Sequence, residues 1–190
     1  RQVLLVDDNP DRADGMARMV QEQGFALADR VAGLDGVAAR VGERPGAVLV
    51  IGRDTVDRDL LDTLTALDRG RRGPVVLFTE DARSESIHAA VAAGVDSYVV
   101  VGVNGSRVRA AIELASANHG SARQLKQQLD EARSALEERK LVEKAKGIVM
   151  KRKGLGEPEA HAFLRQRAMQ RGERMARVAA TIIEAEDMMT

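Results

Sequence analysis

VLLVDDNP at residues 3–10 decides the reading of the fold: four aliphatic residues in a row, two aspartates, then Asn-Pro. A short run that is apolar at every position predicts a strand buried on both faces, and Asn9-Pro10 predicts that a helix starts directly after it. Similar runs return as Phe25 to Ala32, AVLVI at 47–51, VVLF at 75–78 and YVVV at 98–101. Between them the apolar residues take helical spacing, as in Leu60, Leu61, Leu64 and Leu67, or Ile87, Val91 and Ala92. Strands that alternate with helices predict an α/β fold with a five-stranded parallel, doubly wound sheet over residues 1–118. In that architecture ligands and chemistry collect at the carboxyl ends of the strands.

The whole chain has 190 residues and a formal net charge of zero, which hides a division. Residues 1–120 carry 14 basic and 18 acidic side chains, whereas Arg139 to Arg177 holds 12 basic against 4 acidic ones. All six lysines lie after residue 120. Such asymmetry is the footprint of a segment that meets a polyanion. Hydrophobic residues make up 44% of the chain, which excludes wholesale disorder. The chain has no cysteine, which excludes disulfides, thiol catalysis and Cys-ligated metal centres and fits a reducing compartment. No apolar run is long enough to span a membrane and no signal peptide is read, so a cytoplasmic location is expected.

Beyond the sheet, Val108, Ala111, Ile112 and Ala115 predict a last helix for the first domain, with a break at Asn118-His119-Gly120. Leu125, Leu129, Ala132 and Leu136 then follow at heptad spacing, which predicts a coiled-coil linker helix over 119–138 and a homodimer. The alternative is a helix that lays this seam on its own first domain. Over 139–187 three short amphipathic helices are predicted. The first shows Leu141, Val142, Ala145, Ile148 and Val149, the second Ala160, Phe163, Leu164 and Ala168, the third Met175, Val178, Ala179, Ile182 and Ile183. They form a small all-α domain, since helices this short need one another to bury their faces.

LLVDDN, VLFT and AAGVDSYVV together resemble the response-regulator receiver domain across roughly residues 1–118. In that family an acidic pair holds Mg²⁺, an Asp at the end of the third strand accepts a phosphoryl group, a Thr or Ser ends the fourth strand, and Lys-Pro ends the fifth. Asp7, Asp8 and the switch-like Thr79 match, with Tyr98 in the fifth strand. The acceptor does not: counting back from Asp59 places Gly52 there, and counting forward from Pro45 places Ile51. Val101 and Gly102 stand in place of Lys-Pro. Phosphoryl transfer needs its nucleophile and the cations that neutralise developing charge. The resemblance therefore implies a pseudo-receiver without a phosphoacceptor. Two alternatives stay open: Asp54 as a displaced acceptor, and Asp7, Asp8 and Asp54 as a Mg²⁺ site without phosphorylation. The bland reading makes Asp7 and Asp8 simply residues of the fold.

From Leu141 to Ile183 the chain closely resembles the ANTAR domain, the RNA-binding output module of bacterial transcription antiterminators. The resemblance rests on Ala145-Lys146-Gly147, Glu159-Ala160, Leu164-Arg165, Ala168-Met169, Arg171, and Val178-Ala179 before Ile182-Ile183. It implies binding to tandem hairpin loops in leader mRNA, no enzymatic activity, no required cofactor, and a regulatory sensor protein or ligand acting on the pseudo-receiver. The order of domains is similar to that of the amidase-operon and nitrate-assimilation antiterminators. RNA loops offer phosphates and splayed bases, so cations and flat or polarisable side chains are the candidates. These are Lys140, Lys144, Lys146, Lys151, Arg152, Arg165, Met169, Arg171 and Arg174. Two rival readings are a DNA-binding regulator and a protein-interaction module whose lysines are merely solvated.

Overall fold

The computed structural model describes residues 1–68, 70–100 and 105–188. Five strands, β1 (Gln2–Asp7), β2 (Ala26–Val31), β3 (Val48–Arg53), β4 (Val75–Thr79) and β5 (Ser97–Val100), pair in parallel in the order β2-β1-β3-β4-β5. The helices between them are α1 (Pro10–Glu22), α2 (Val37–Glu43), α3 (Arg58–Ala66) and α4 (Ser84–Ala93). The chain continues as α5 (Gly105–Lys153), α6 (Glu157–Arg171) and α7 (Met175–Asp187), and divides into two compact units, Arg1–Arg123 and Gln124–Thr190. No helix of the described residues is long and apolar enough to cross a membrane.

In the first unit the central strands bury both faces, as their continuous apolar runs require. Val3, Leu5, Val48, Val50, Val76 and Phe78 pack with Met16 and Val20 of α1 and with Val108, Ile112 and Ala115 of α5. The alternate residues Leu4, Val6, Leu49, Ile51 and Leu77 pack on the other face with Val41, Leu60, Leu64 and Ala90. The start of α1 follows from Asn9-Pro10. The Asn9 side chain accepts from the backbone N–H groups of Asp11 and Arg12, and Pro10 opens the helix. That cap fixes the first turn of α1 beside the carboxyl ends of β1 and β3.

The break expected at Asn118-His119-Gly120 does not occur: α5 runs unbroken over 49 residues. The Asn118 amide donates to the carbonyl of Asp96 at 2.9 Å, and His119 Nδ1 lies 3.4 Å from the Asp96 carboxylate. Both side chains tie the helix to the turn before β5, and this anchoring outweighs the weak helix propensity of Gly120, a cost of about 1 kcal/mol. The expected last helix of the first domain, the linker and the first helix of the tail are thus one element.

The second unit closes around Ala145 and Val149 of α5, Ala160, Leu164 and Ala168 of α6, and Val178, Ala179 and Ile183 of α7. These are the faces that the helical spacing marks. Alanines at the contact positions allow the helix axes to approach closely. Gly172, in the left-handed conformation at φ 64°, ends α6, its N–H directed to the carbonyls of Ala168 and Met169. Leu125, Leu129 and Leu136 of the heptad seam are exposed, at 69%, 49% and 53%.

These burials give a direct test. Ile112→Ala should destabilise the first unit by about 2–5 kcal/mol in urea unfolding, because Ile112 is fully buried against the sheet. Leu125→Ala should stay within about 0.5 kcal/mol of wild type at concentrations where the chain is a monomer.

Candidate functional site

Two places combine charge with position: the carboxyl edge of the sheet and the surface of the second unit. At the edge, the ladder sets Asp7 opposite Gly52 and Arg53 opposite Thr79. The Asp7 carboxylate is wholly buried. It accepts from the Asn9 N–H at 2.9 Å, from Arg12 Nε at 2.8 Å and from Arg12 Nη2 at 2.9 Å. The same guanidinium reaches Asp8 at 3.3 Å and binds Asp54 through Nη1. Arg53 adds a bond to Asp8 at 2.8 Å and another to Asp57. Hydrogen bonding to Asp7, and then to Asp54, holds the Arg12 guanidinium well above its ordinary pKa.

The carboxylates considered for Mg²⁺, Asp7, Asp8 and Asp54, are therefore brought together, but around an arginine. A divalent cation there would have to displace a side chain already bonded to all three, so these residues do not fit the metal. No group of three or more acidic, His or Cys side chains poised for a metal is found among the described residues. Gly52 faces this cluster, whereas Ile51 is buried in the core. A Cβ on Gly52 would lie 2.0 Å from Asp7 Oδ2 and 3.0 Å from Arg12 Nε. The position has no room for any side chain while Asp7 and Arg12 keep their places. Val101 and Gly102 lie outside the described residues.

Thr79 and Tyr98 are also engaged. The Thr79 hydroxyl donates to the Asp54 carbonyl at 3.0 Å and accepts from the Asp81 N–H at 3.1 Å, and the Tyr98 hydroxyl donates to the Asp81 carbonyl at 2.7 Å. The Asp81 carboxylate is held by Arg83 at 2.7 Å, and this bond, with help from Ser86, keeps it well below the usual carboxylate range. A cleft of about 170 Å³ beside β1 is lined by Asp7, Asp8, Pro10, Arg30 and their neighbours. That is smaller than the ~300 Å³ at which small-molecule pockets begin.

Arg12, Arg53 and Asp81 are the functional neighbours that the sequence reading missed. Arg12 does leave a trace: a cation in the first turn of a helix opposes the helix dipole, so it needs a local reason.

On the second unit, ion pairs sort the nine candidates. Lys140 pairs with Glu137 at 2.8 Å, Lys144 with Asp187 at 3.9 Å, Arg152 with Glu186 at 2.5 Å and Arg174 with Glu138 at 3.5 Å. Lys146 is different, because its side chain is only 8% exposed and bridges Glu143 at 2.9 Å and Glu157 at 2.7 Å. It fastens the end of α5 to the start of α6 and presents no ammonium to the surface. The bond to Glu157 raises the Lys146 pKa, and the same bond lowers that of Glu157. Lys151, Arg165 and Arg171 are exposed with no ion-pair partner among the described residues, and Met169 is 74% exposed. Arg165 and Met169, four residues apart on α6, thus lie together on an open face.

Comparison with known proteins bears on both units. Residues 130–183 match the ANTAR domain family, a stretch that takes in Ala132 and Leu136 of the seam. The chain is 29% identical to the transcriptional regulatory protein PdtaR of Mycobacterium tuberculosis over 185 residues, 97% of this chain and 90% of that protein. A 60-residue stretch is 43% identical to the nitrate regulatory protein of Klebsiella oxytoca, 32% of this chain and 15% of that protein. Among solved structures, the signal receiver domain of a modulated diguanylate cyclase from Desulfovibrio desulfuricans G20 superposes with a TM-score of 0.55 at 17% identity. The alignment covers 64% of this chain and 97% of that one, and shows the receiver fold. The first unit thus has the receiver fold, and residues 130–183 of the second match the ANTAR domain family.

The edge cluster predicts an asymmetric response to mutation. Arg12→Ala leaves the buried Asp7 carboxylate without its cation and should cost about 3–5 kcal/mol in urea unfolding. Asp7→Asn added to Arg12→Ala should recover much of that loss, because the uncompensated charge is gone. Equal loss in both variants would show that Arg12 acts through packing.

Proposed function

We propose that this chain is a non-enzymatic transcription antiterminator that acts in the cytoplasm and binds hairpin loops of leader mRNA through its ANTAR domain. The observation that carries the reading is that Lys151, Arg165 and Arg171, inside the segment that matches that family, are exposed cations with no ion-pair partner among the described residues. RNA binding needs such cations at phosphates, and an exposed Met169 beside Arg165 offers an apolar contact to a splayed base. The relatives are named a transcriptional regulatory protein and a nitrate regulatory protein, which supports a regulatory role. Homodimerisation through Leu125, Leu129, Ala132 and Leu136 belongs to the same proposal. Three exposed leucines on one stripe of a helix are the pattern of a coiled-coil seam.

The receiver-like domain works in this reading without phosphorylation. Gly52 supplies no nucleophile, and the acidic pair is bonded to Arg12 rather than open to a metal. Control then comes from a partner, a sensor protein or a ligand, that recognises the domain. Incubation with acetyl phosphate and Mg²⁺ should leave the intact mass unchanged, and a phosphoryl adduct would contradict this arm.

Binding to a synthetic tandem-hairpin RNA, to loop-substituted versions and to duplex DNA, at two salt concentrations, tests the reading as a whole. Loop-dependent binding is expected. Preference for duplex DNA would favour the DNA-binding alternative, and binding to neither the interaction-module alternative. Lys151→Ala with Arg165→Ala should weaken binding to every hairpin alike and reduce the log–log salt slope by about 1–2, since each phosphate contact releases counterions.

A further inference from the structure

Phe163 is the only Phe, Tyr or Trp after residue 120. It is half-buried at the margin of the second core, so one part of the ring packs inward and the rest remains accessible. Two cations gather on it: Lys153 Nζ lies 5.1 Å and Arg167 Cζ 5.3 Å from the ring centroid. Several other cations of this unit go to carboxylates, as Lys140, Lys146 and Arg174 do. Lys153 and Arg167 are exposed and have no ion-pair partner among the described residues.

Two like charges at one ring repel each other, and the ring quadrupole provides the attraction that holds each of them there. The two differ in what they offer. Arg167 lies four residues after Phe163 on α6, so both side chains share one helix face. Its guanidinium is planar and weakly hydrated and stacks readily, and the residue is exposed. Lys153, the last residue of α5, presents a compact ammonium. An aromatic ring, a cationic plane and a nearby point charge are what an unpaired nucleotide requires, because splayed bases stack on aromatic or guanidinium planes while their phosphates take cations.

We propose that Phe163, Arg167 and Lys153 form a seat for one unpaired loop base, stacked on the Phe163–Arg167 pair, with Lys153 at the adjoining phosphate. The proposal rests on the RNA-binding reading above and assigns a stacking site distinct from Arg165 and Met169. It makes the ring a specificity element of the module as well as part of its core.

The test uses the full chain and a tandem-hairpin RNA whose loops the wild-type protein has selected from a randomised-loop pool. Each loop nucleotide is replaced in turn by an abasic residue, and separately by 2-aminopurine to report stacking. Wild-type protein should show a large abasic penalty and a quenched 2-aminopurine at one loop position. Phe163→Leu keeps the apolar packing and Arg167→Lys keeps the charge. Each should weaken binding to the intact loop roughly tenfold and lose the penalty at that position, with the salt slope unchanged. Thermal unfolding checks that both variants are folded, and Arg167→Lys alone is sufficient where Phe163→Leu is not. Loop-dependent binding with the penalty intact in the folded variants overturns the seat and leaves the RNA reading standing. Failure of the wild-type protein to select any loop overturns both.

Discussion

A carboxylate buried at the end of a central strand must have a cation, and at the end of β1 that cation is Arg12. The consequences spread along the carboxyl edge. Because Arg12 bonds Asp7, it also reaches Asp8 and Asp54, and Arg53 then bonds the remaining oxygen of Asp8. Because Asp7 and Arg12 fill the space opposite β3, only glycine fits at residue 52. The carboxyl edge of the sheet is thereby a connected set of ion pairs. Within it the carboxylates of Asp7, Asp8, Asp54 and Asp57 share the guanidiniums of Arg12 and Arg53.

The second unit uses charge in the opposite sense. Its core is small, so its helices are fixed by alanines that let them approach and by the Lys146 bridge between α5 and α6. One lysine of the basic excess is spent on architecture, and several more face carboxylates of the same unit. What remains outward is a smaller set on the last turns of α5 and on α6. Net charge alone does not distinguish a cation that holds helices together from one that is free to meet a polyanion. Partner geometry does.

Much of this was legible in the sequence, for a reason that differs from element to element. The strands could be read because burial on both faces leaves continuous apolar runs, and the three helix faces of the second unit because burial imposes a period on Ala145, Leu164 and Val178. Counting along the third strand leaves Gly52 and Ile51 both open at its end, and only the ladder shows that Gly52 is the one opposite Asp7. The arginine that faces it was not legible, since Arg12 lies on another element and its pairing with Asp7, Asp8 and Asp54 exists only once β1, β3 and α1 are assembled. Lys146 was placed on the RNA-binding surface because it belongs to a basic run, and burial between Glu143 and Glu157 is invisible to composition. The expected break at Asn118-His119-Gly120 reads local propensity correctly but misses the hold that Asp96 has on the first two of these residues.

The unbroken α5 carries a mechanical consequence. Its first turns are locked into one core and its last turns into another, whereas residues 121–137 are exposed throughout. Helical hydrogen bonds there are protected by nothing except the helix itself, and an isolated helix of such length is only marginally stable in water. This is the segment where the chain should open most cheaply, with the fastest amide exchange of the helix and with Arg123, Lys126 and Arg133 as the first bonds offered to trypsin. A second chain laid along the leucine stripe would close it. If the chain pairs through that stripe as proposed, the middle of the helix would be firm when copies are abundant and loose when they are scarce.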